Sequence, residues 1–216
     1  MALGAIDKVR NIVRLWRQIP HERILETGSG EGSILQGLSD RNFGDSLSSL
    51  EISQSAVKAI QLQNIPRLRE CLLFDGYDIP YEERLFDLAV PSHVLDHVEY
   101  PRRLFYEASK VARFIFVEVP LEDTVRLEDK FVFNRGGHIN FYSLNTARRL
   151  AETCGLVVLS EEITYPSRAV YQYYGRTTGA VKYLLKGTLR SFSKRLASSM
   201  FTYHFSLLRT AGTVDK

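Results

Sequence analysis

Sulfur and tryptophan are scarce in this chain: its 216 residues hold two Cys, two Met and one Trp. Cys71 and Cys154 stand alone and fit no metal or redox spacing, which argues against a disulfide framework and predicts two buried, reduced thiols. No apolar run approaches the ~18 residues that a membrane span needs. Asp7, Lys8 and Arg10 break up the N-terminal segment, so no signal peptide is expected and a cytoplasmic protein is. Acidic residues are nearly missing from one quarter of the chain. From Tyr165 to Lys216 there are nine Lys or Arg and a single acid, Asp215, while the remainder holds 19 bases and 24 acids. The formal net charge of +3 therefore hides an acidic body with a basic C-terminal segment. A solvated helix face is the ordinary meaning of such a run.

What is present is an average soluble composition, 44% hydrophobic and 25% charged, in a length that suits one sizeable α/β domain over residues 1–216. Leu3, Ile6, Val9, Val13, Trp16 and Ile19 follow helical spacing, and Pro20 stops that helix, placing it over 3–19. Short apolar runs then alternate with helical ones. RILET, SLSSLEI, CLLF, FDLAVPS, RFIFVEVP, LVVLSEEITY and TYHFSLLRT read as strands. GSILQGLSD, SQSAVKAIQLQ, PRRLFYEASKV and SLNTARRLAETCG read as helices, with Ser53 as an N-cap and Gly155 as a terminator. Strands alternating with helices predict a Rossmann-like, doubly wound, mostly parallel sheet. The carboxyl ends of its strands, where such sheets bind ligands, hold Glu26 to Gly32, Glu51, Asp75, Ser92 to His97 and Glu118. Residues 171–200 read as a basic helical insertion before the last strand.

The stretch RILETGSGEGSIL places Gly28, Gly30 and Gly32 at alternate positions after the first strand. It lacks the third glycine of G-x-G-x-x-G, where Ser33 stands, and the Lys of a phosphate-binding P-loop. Tyr106 and Lys110 form the Y-x-x-x-K pair of a short-chain NAD(P)-dependent dehydrogenase, but within an amphipathic helix, and the matching glycine pattern fails at Ile34.

E-x-G-x-G-x-G resembles motif I of the class I S-adenosylmethionine-dependent methyltransferases. The resemblance continues through SLEIS, FDGYDIP, FDLAVPSHVLDHVEYP (similar to the family's FDLVxxxxVLEHVxDP) and GHINFYSLNTARRLAETCGLVV (similar to GHxxxFSxxxLxxLLxxAGF). Together these motifs cover residues 20–160 in the family's order. The resemblance implies seven strands with an antiparallel last strand, and S-adenosylmethionine as cofactor. It implies Glu26 at the methionine ammonium, and Gly28, Ser29 and Gly30 as backbone against the cofactor. Glu51 and Ile52 fall at the ribose, Asp75 and Gly76 at the adenine, and Ser92 near the methyl group. The acceptor is expected to be a small molecule, an anionic one being in keeping with the basic segment, with O-methylation slightly favoured because base candidates exist: His93, His138 and Tyr142. His93, Asp96 and His97, at i, i+3 and i+4, could share one helical face and suit a divalent metal, though no metal is expected. A non-catalytic cofactor-binding partner protein is the competing class. Val181, Leu184, Leu185, Leu189, Phe192 and Leu196 form a helical stripe expected to pack on the domain, with Lys182, Lys186, Arg190 and Lys194 on a separate cationic face. Membrane-surface contact ranks below that packing, and nucleic acid is not expected.

Overall fold

The computed structural model describes residues 3–16, 19–124, 130, 136–174, 176–199 and 202–210. The chain opens with helix α1 (Leu3–Trp16), followed by β1 (Arg23–Thr27), α2 (Ser33–Ser39), β2 (Ser46–Glu51), α3 (Gln54–Leu62) and β3 (Leu68–Leu73). Then come β4 (Phe86–Val90), α4 (Pro101–Val111), β5 (Ala112–Leu121), α5 (Leu144–Glu152) and β6 (Leu156–Thr164). Three helices, α6 (Arg168–Tyr174), α7 (Arg176–Phe192) and α8 (Lys194–Ser198), precede β7 (Thr202–Thr210).

The seven strands form one sheet in the order β3-β2-β1-β4-β5-β7-β6. Strands β1 to β5 pair in parallel, and β7 runs antiparallel to both β5 and β6. Pleating sends successive side chains to opposite faces. Ile24, Leu88, Phe114 and Phe116 therefore face α1, α2 and α3, where they join Val9, Ile12, Leu35 and Ile60 in one core. Leu25, Ala89 and Ile115 face α4 and α5 and join Leu104, Phe105 and Ala151 in the other. After β3 the chain returns to the far side of β1, so the strand order reverses between β1 and β4. A crevice opens at such a switch point because the flanking connections leave toward opposite sides.

The helix ends follow local chemistry. Ser53 accepts from the Ala56 N–H, and Ser143 and Thr146 exchange bonds in a capping box at the start of α5. Helix α1 is tied to the far end of the sheet: Asp7 Oδ2 accepts the Ser167 N–H (2.7 Å) and Arg14 pairs with Glu162.

Three sequence expectations need correction. Cys71 is buried, but Cys154 is only half-buried; both are free thiols. The 171–200 insertion is helical, as α6, α7 and α8, yet Val181, Leu184, Leu185, Phe192 and Leu196 are exposed instead of packed on the domain. Lys186 does not stand on a separate solvated face: its Nζ lies 5.6 Å from the centre of the Tyr171 ring.

Candidate active site

The loop after β1 is pinned to β2 by backbone bonds. Gly28 N–H donates to the Leu50 carbonyl at 2.8 Å and Ser29 N–H to the same oxygen at 3.4 Å. Gly28 has φ +71°, and a Cβ there would lie 2.7 Å from Val94 Cγ2, so only glycine fits. Gly30 is different. Its φ is +52°, but a Cβ would meet nothing within 4 Å, so its bare backbone fronts open space at the strand ends. Helix α2 begins only at Ser33, after Gly32 at φ +74°. The Gly30 N–H instead donates to Glu51 Oε2 at 2.8 Å. Glu51, at the end of β2, also receives the N–H groups of Ile52 (2.9 Å) and Ser53 (3.0 Å) on Oε1.

Ile52 is 65% exposed, with its Cγ2 3.6 Å from where a Gly76 Cβ would stand. The two form an apolar edge beyond Glu51. Asp75, at the rim, accepts from the Tyr77 (2.8 Å) and Asp78 (2.7 Å) N–H groups. These bonds hold its carboxyl below the usual range and leave Oδ2 outside that turn.

Beneath the loop lies Glu26, 2% exposed, with Oε2 lacking any hydrogen-bond partner. Burial raises its pKa to about 8, against lowering by Ser29 and Lys8. Ser29 is buried as well, where Ser49 Oγ donates to its Oγ at 2.7 Å. Ser92, next along the rim, bridges Glu118 in parallel register and is buried with its Oγ unpartnered.

His93 has φ +54°, which turns it out of line with the residues that follow. Its N–H donates to the Glu118 carbonyl (2.8 Å), and its Nε2 lies 3.1 Å from Glu118 Oε1. Asn11 of α1 donates to the other oxygen of Glu118 at 2.7 Å. Burial alone would raise the Glu118 pKa, but bonding by His93 and Asn11 and the nearby Lys8 charge hold it below its ordinary value. Burial lowers the pKa of Lys8 itself, opposed by Glu118, Glu26 and Asp96. The Tyr203 ring stands 5.0 Å from the His93 ring, centre to centre.

A match to the methyltransferase domain family spans residues 5–161. The chain belongs to the methyltransferase domain family. A mitochondrial ubiquinone biosynthesis O-methyltransferase of Candida albicans is 32% identical over 92 residues, covering 40% of this chain and 28% of that protein. The curated relatives that match are thus covered over less than half of their length. A putative sarcosine dimethylglycine methyltransferase of Galdieria sulphuraria superposes with TM-score 0.68 at 18% identity, covering 99% of this chain and 86% of that one. A Haemonchus contortus phosphoethanolamine N-methyltransferase, solved with S-adenosylhomocysteine, gives TM-score 0.70 at 12% identity, covering 94% of this chain and 52% of that one. The expected class I methyltransferase fold, with its antiparallel β7, is the fold observed.

In this methyltransferase domain, Glu26, Gly28, Ser29, Gly30, Glu51 and Ser92 stand at or just after the carboxyl ends of β1, β2 and β4, and Ile52, Asp75 and Gly76 follow the ends of β2 and β3. The expected trio of His93, Asp96 and His97 does not assemble. No helix forms over residues 91–99, where the bridge at Ser92 is followed by turns and a bend, and His93 faces Glu118. His138 takes its place beside the other two. Asp96 Oδ2 lies 3.2 Å from His138 Nε2 and 3.4 Å from His97 Nε2, and His138 Nδ1 lies 2.6 Å from Glu122 Oε2. Asp96, His97 and His138 could each offer one metal-ligand atom, all within 4.8 Å of one another. Their evident work is to hold segment 136–140 on the β4–α4 turn, where Asp96 O also accepts the Ile139 and Asn140 N–H groups. Tyr142 is buried and donates its hydroxyl to Leu95 O at 3.1 Å. The dehydrogenase pair is not at the crevice: Tyr106 is exposed on α4 and Lys110 pairs with Glu107. Sequence reasoning missed Lys8, Asn11 and Glu122. Only the polar Lys8 and Asn11 at i, i+3 in an otherwise amphipathic α1 hint at two of them.

The two glycines, taken together, and Glu26 each give an expected outcome. Gly28→Ala should cost about 2–4 kcal/mol of folding stability in denaturant titrations, from positive-φ strain plus overlap with Val94. Gly30→Ala should cost only about 1 kcal/mol but weaken S-adenosylhomocysteine binding at least about tenfold, because its methyl group enters the open side of the loop. Wild-type affinity in Gly30→Ala would place the ligand elsewhere. The second concerns Glu26. Its folded pKa of about 8 exceeds the ordinary 4.5, so its contribution to stability is complete below about pH 4.5 and is lost as pH rises through about 8. Glu26→Gln should therefore melt at least about 5 °C above the wild type near pH 9 and differ little near pH 4. Parallel melting curves at all pH values would contradict this.

Proposed function

We propose that the protein is an S-adenosylmethionine-dependent methyltransferase that acts on a hydroxyl group of a small-molecule acceptor. The residues fit the cofactor. The unpartnered buried oxygen of Glu26 suits an ammonium group, the open backbone of Gly30 permits close approach, and Glu51 suits a vicinal diol because a carboxylate accepts on both oxygens. Ile52 and Gly76 offer an apolar edge to a flat base, with Asp75 Oδ2 to receive its amino group. Glu26 and Glu51 are both in place, which favours an enzyme over a non-catalytic binding module.

When bound, S-adenosylmethionine supplies an electrophilic methyl group on a sulfonium centre. The chain's own part is alignment, exclusion of water and handling of one proton. The His93–Glu118 pair carries the choice of a hydroxyl acceptor. Glu118 is held ionised by Asn11 and Lys8, so His93 Nε2 keeps its proton toward that carboxylate and Nδ1 is left as the basic nitrogen. His93 then takes the acceptor's hydroxyl proton, and Glu118 stabilises the imidazolium. His138 is less suited, because Glu122 and Asp96 engage both of its ring nitrogens. Tyr142 is less suited too, because burial and the Asp96 charge raise its pKa and its proton is given to Leu95 O. The O-methyltransferase among the relatives supports the same acceptor chemistry.

The test follows transfer of labelled methyl from S-adenosylmethionine into a fractionated metabolite extract. Wild type should label an acceptor through oxygen. His93→Gln should lower kcat by about 10²–10⁴ while binding S-adenosylhomocysteine normally. Labelling through nitrogen, or an undiminished rate in His93→Gln, would overturn the proposed role.

A further inference from the structure

Helix α7 is mounted with its apolar side outward. Gly179 is buried, and Tyr183, Lys186 and Gly187 on the same side pack inward against α6 and the segment after β6. A Cβ on Gly187 would stand 3.1 Å from the Tyr165 hydroxyl, so the helix backbone lies close against that ring. The Tyr183 ring meets Tyr165 (5.4 Å between centres) and Tyr171 (6.3 Å), and Lys186 lies over Tyr171. Among the described residues this contact includes glycine backbone, aromatic rings and a cation; of the stripe, Leu189 is half-buried.

The stripe itself is at i, i+3, i+4 and i+11. Val181, Leu184, Leu185 and Phe192 are between 56% and 88% exposed, and Leu196 of α8 continues the apolar surface at 56%. Thr188 lies within it, but its hydroxyl turns back to the Leu184 and Leu185 carbonyls (2.9 Å each). Ser191 likewise bonds the Gly187 carbonyl. Both hydroxyls are thereby engaged within the helix itself. Single exposed leucines are ordinary on a soluble protein, but a contiguous apolar helix face marks a surface that is covered in use.

The charge of the segment identifies the cover. Between Glu162 and Asp215 there is no acidic residue and there are eight bases, six of them within α7, α8 and their junction: Arg176, Lys182, Lys186, Arg190, Lys194 and Arg195. A self-complementary contact with a second copy would set this basic segment against itself, with no acid in it to compensate. An anionic surface matches it. We propose that α7 and α8 dock the protein on the surface of an anionic lipid bilayer, with Leu184, Leu185 and Phe192 entering the headgroup–acyl boundary and the positive charge of the segment drawing it to the lipid phosphates. The helix lies on the membrane and does not cross it, since no described helix is long and apolar enough to span one.

The experiment is flotation of the full chain with vesicles of phosphatidylcholine alone or mixed with phosphatidylglycerol. The protein should float with the anionic vesicles, stay behind with the neutral ones, and detach as salt is raised. The combined variant Leu184→Ser, Leu185→Ser and Phe192→Ser should lose at least about tenfold in partitioning, with melting temperature and S-adenosylhomocysteine affinity unchanged, because those side chains face solvent. Absence of flotation with anionic vesicles, equal flotation with neutral ones, or wild-type flotation of the triple variant would overturn the proposal. So would a soluble dimer that the triple variant dissociates, since the stripe would then be its interface.

Discussion

The bond from the Gly30 N–H to Glu51 Oε2, 2.8 Å long, closes the loop after β1 onto the end of β2. Hydrogen bonds to an ionised carboxylate are shorter and about twice as strong as neutral ones, so this contact sets where the loop stands. The Leu50 carbonyl fixes the same loop from below through Gly28 and Ser29. With its root held and Gly30 bare, the loop keeps an open edge at the point where the strand order reverses. Glu51 has three backbone donors in this state. A diol that bonds this carboxylate replaces neutral donors with hydroxyls and needs no new charge at the site. On the proposed reading, the position of Glu51 links the fold to its ligand.

A second constraint is the number of acids buried at one end of the sheet. Glu26, Glu51, Asp96 and Glu118 are all nearly inaccessible. Buried carboxylates need charge or hydrogen-bond partners, or they take up protons. Helix α1 supplies much of that compensation through Lys8 and Asn11, and its ties to Ser167 and Glu162 keep it there. Glu118 is compensated and stays ionised, while Glu26 is left partly uncompensated and holds its proton to about pH 8. On the proposed reading, Glu118 is the acid that orients a base and Glu26 the one that receives a cation.

Much of this could be read from the sequence because it is local. Alternating apolar runs located the strands, Ser53 marked the start of α3, and the glycines with Glu26 and Glu51 fell at the ends of β1 and β2. What could not be read depends on distant contacts. Asn11 and Glu118 are 107 residues apart in the chain, and no local pattern joins them. The trio of His93, Asp96 and His97 failed because helical spacing requires a helix, and positive φ at His93 prevents one. His138 joins Asp96 through the fold of a later segment. The stripe on α7 failed differently. Periodicity shows that one side of a helix is apolar, but not whether that side meets the domain or something outside it.

The account rests on Glu51 being the group that a bound nucleoside takes over from the Gly30 backbone. A crystal structure of the protein soaked with S-adenosylhomocysteine tests this directly. It should show both ribose hydroxyls on the Glu51 carboxylate, the ammonium at Glu26 and the Gly30 backbone against the ligand. A ligand found away from β1 and β2, with Glu51 still on the Gly30 N–H and no contact to the ribose, would contradict it.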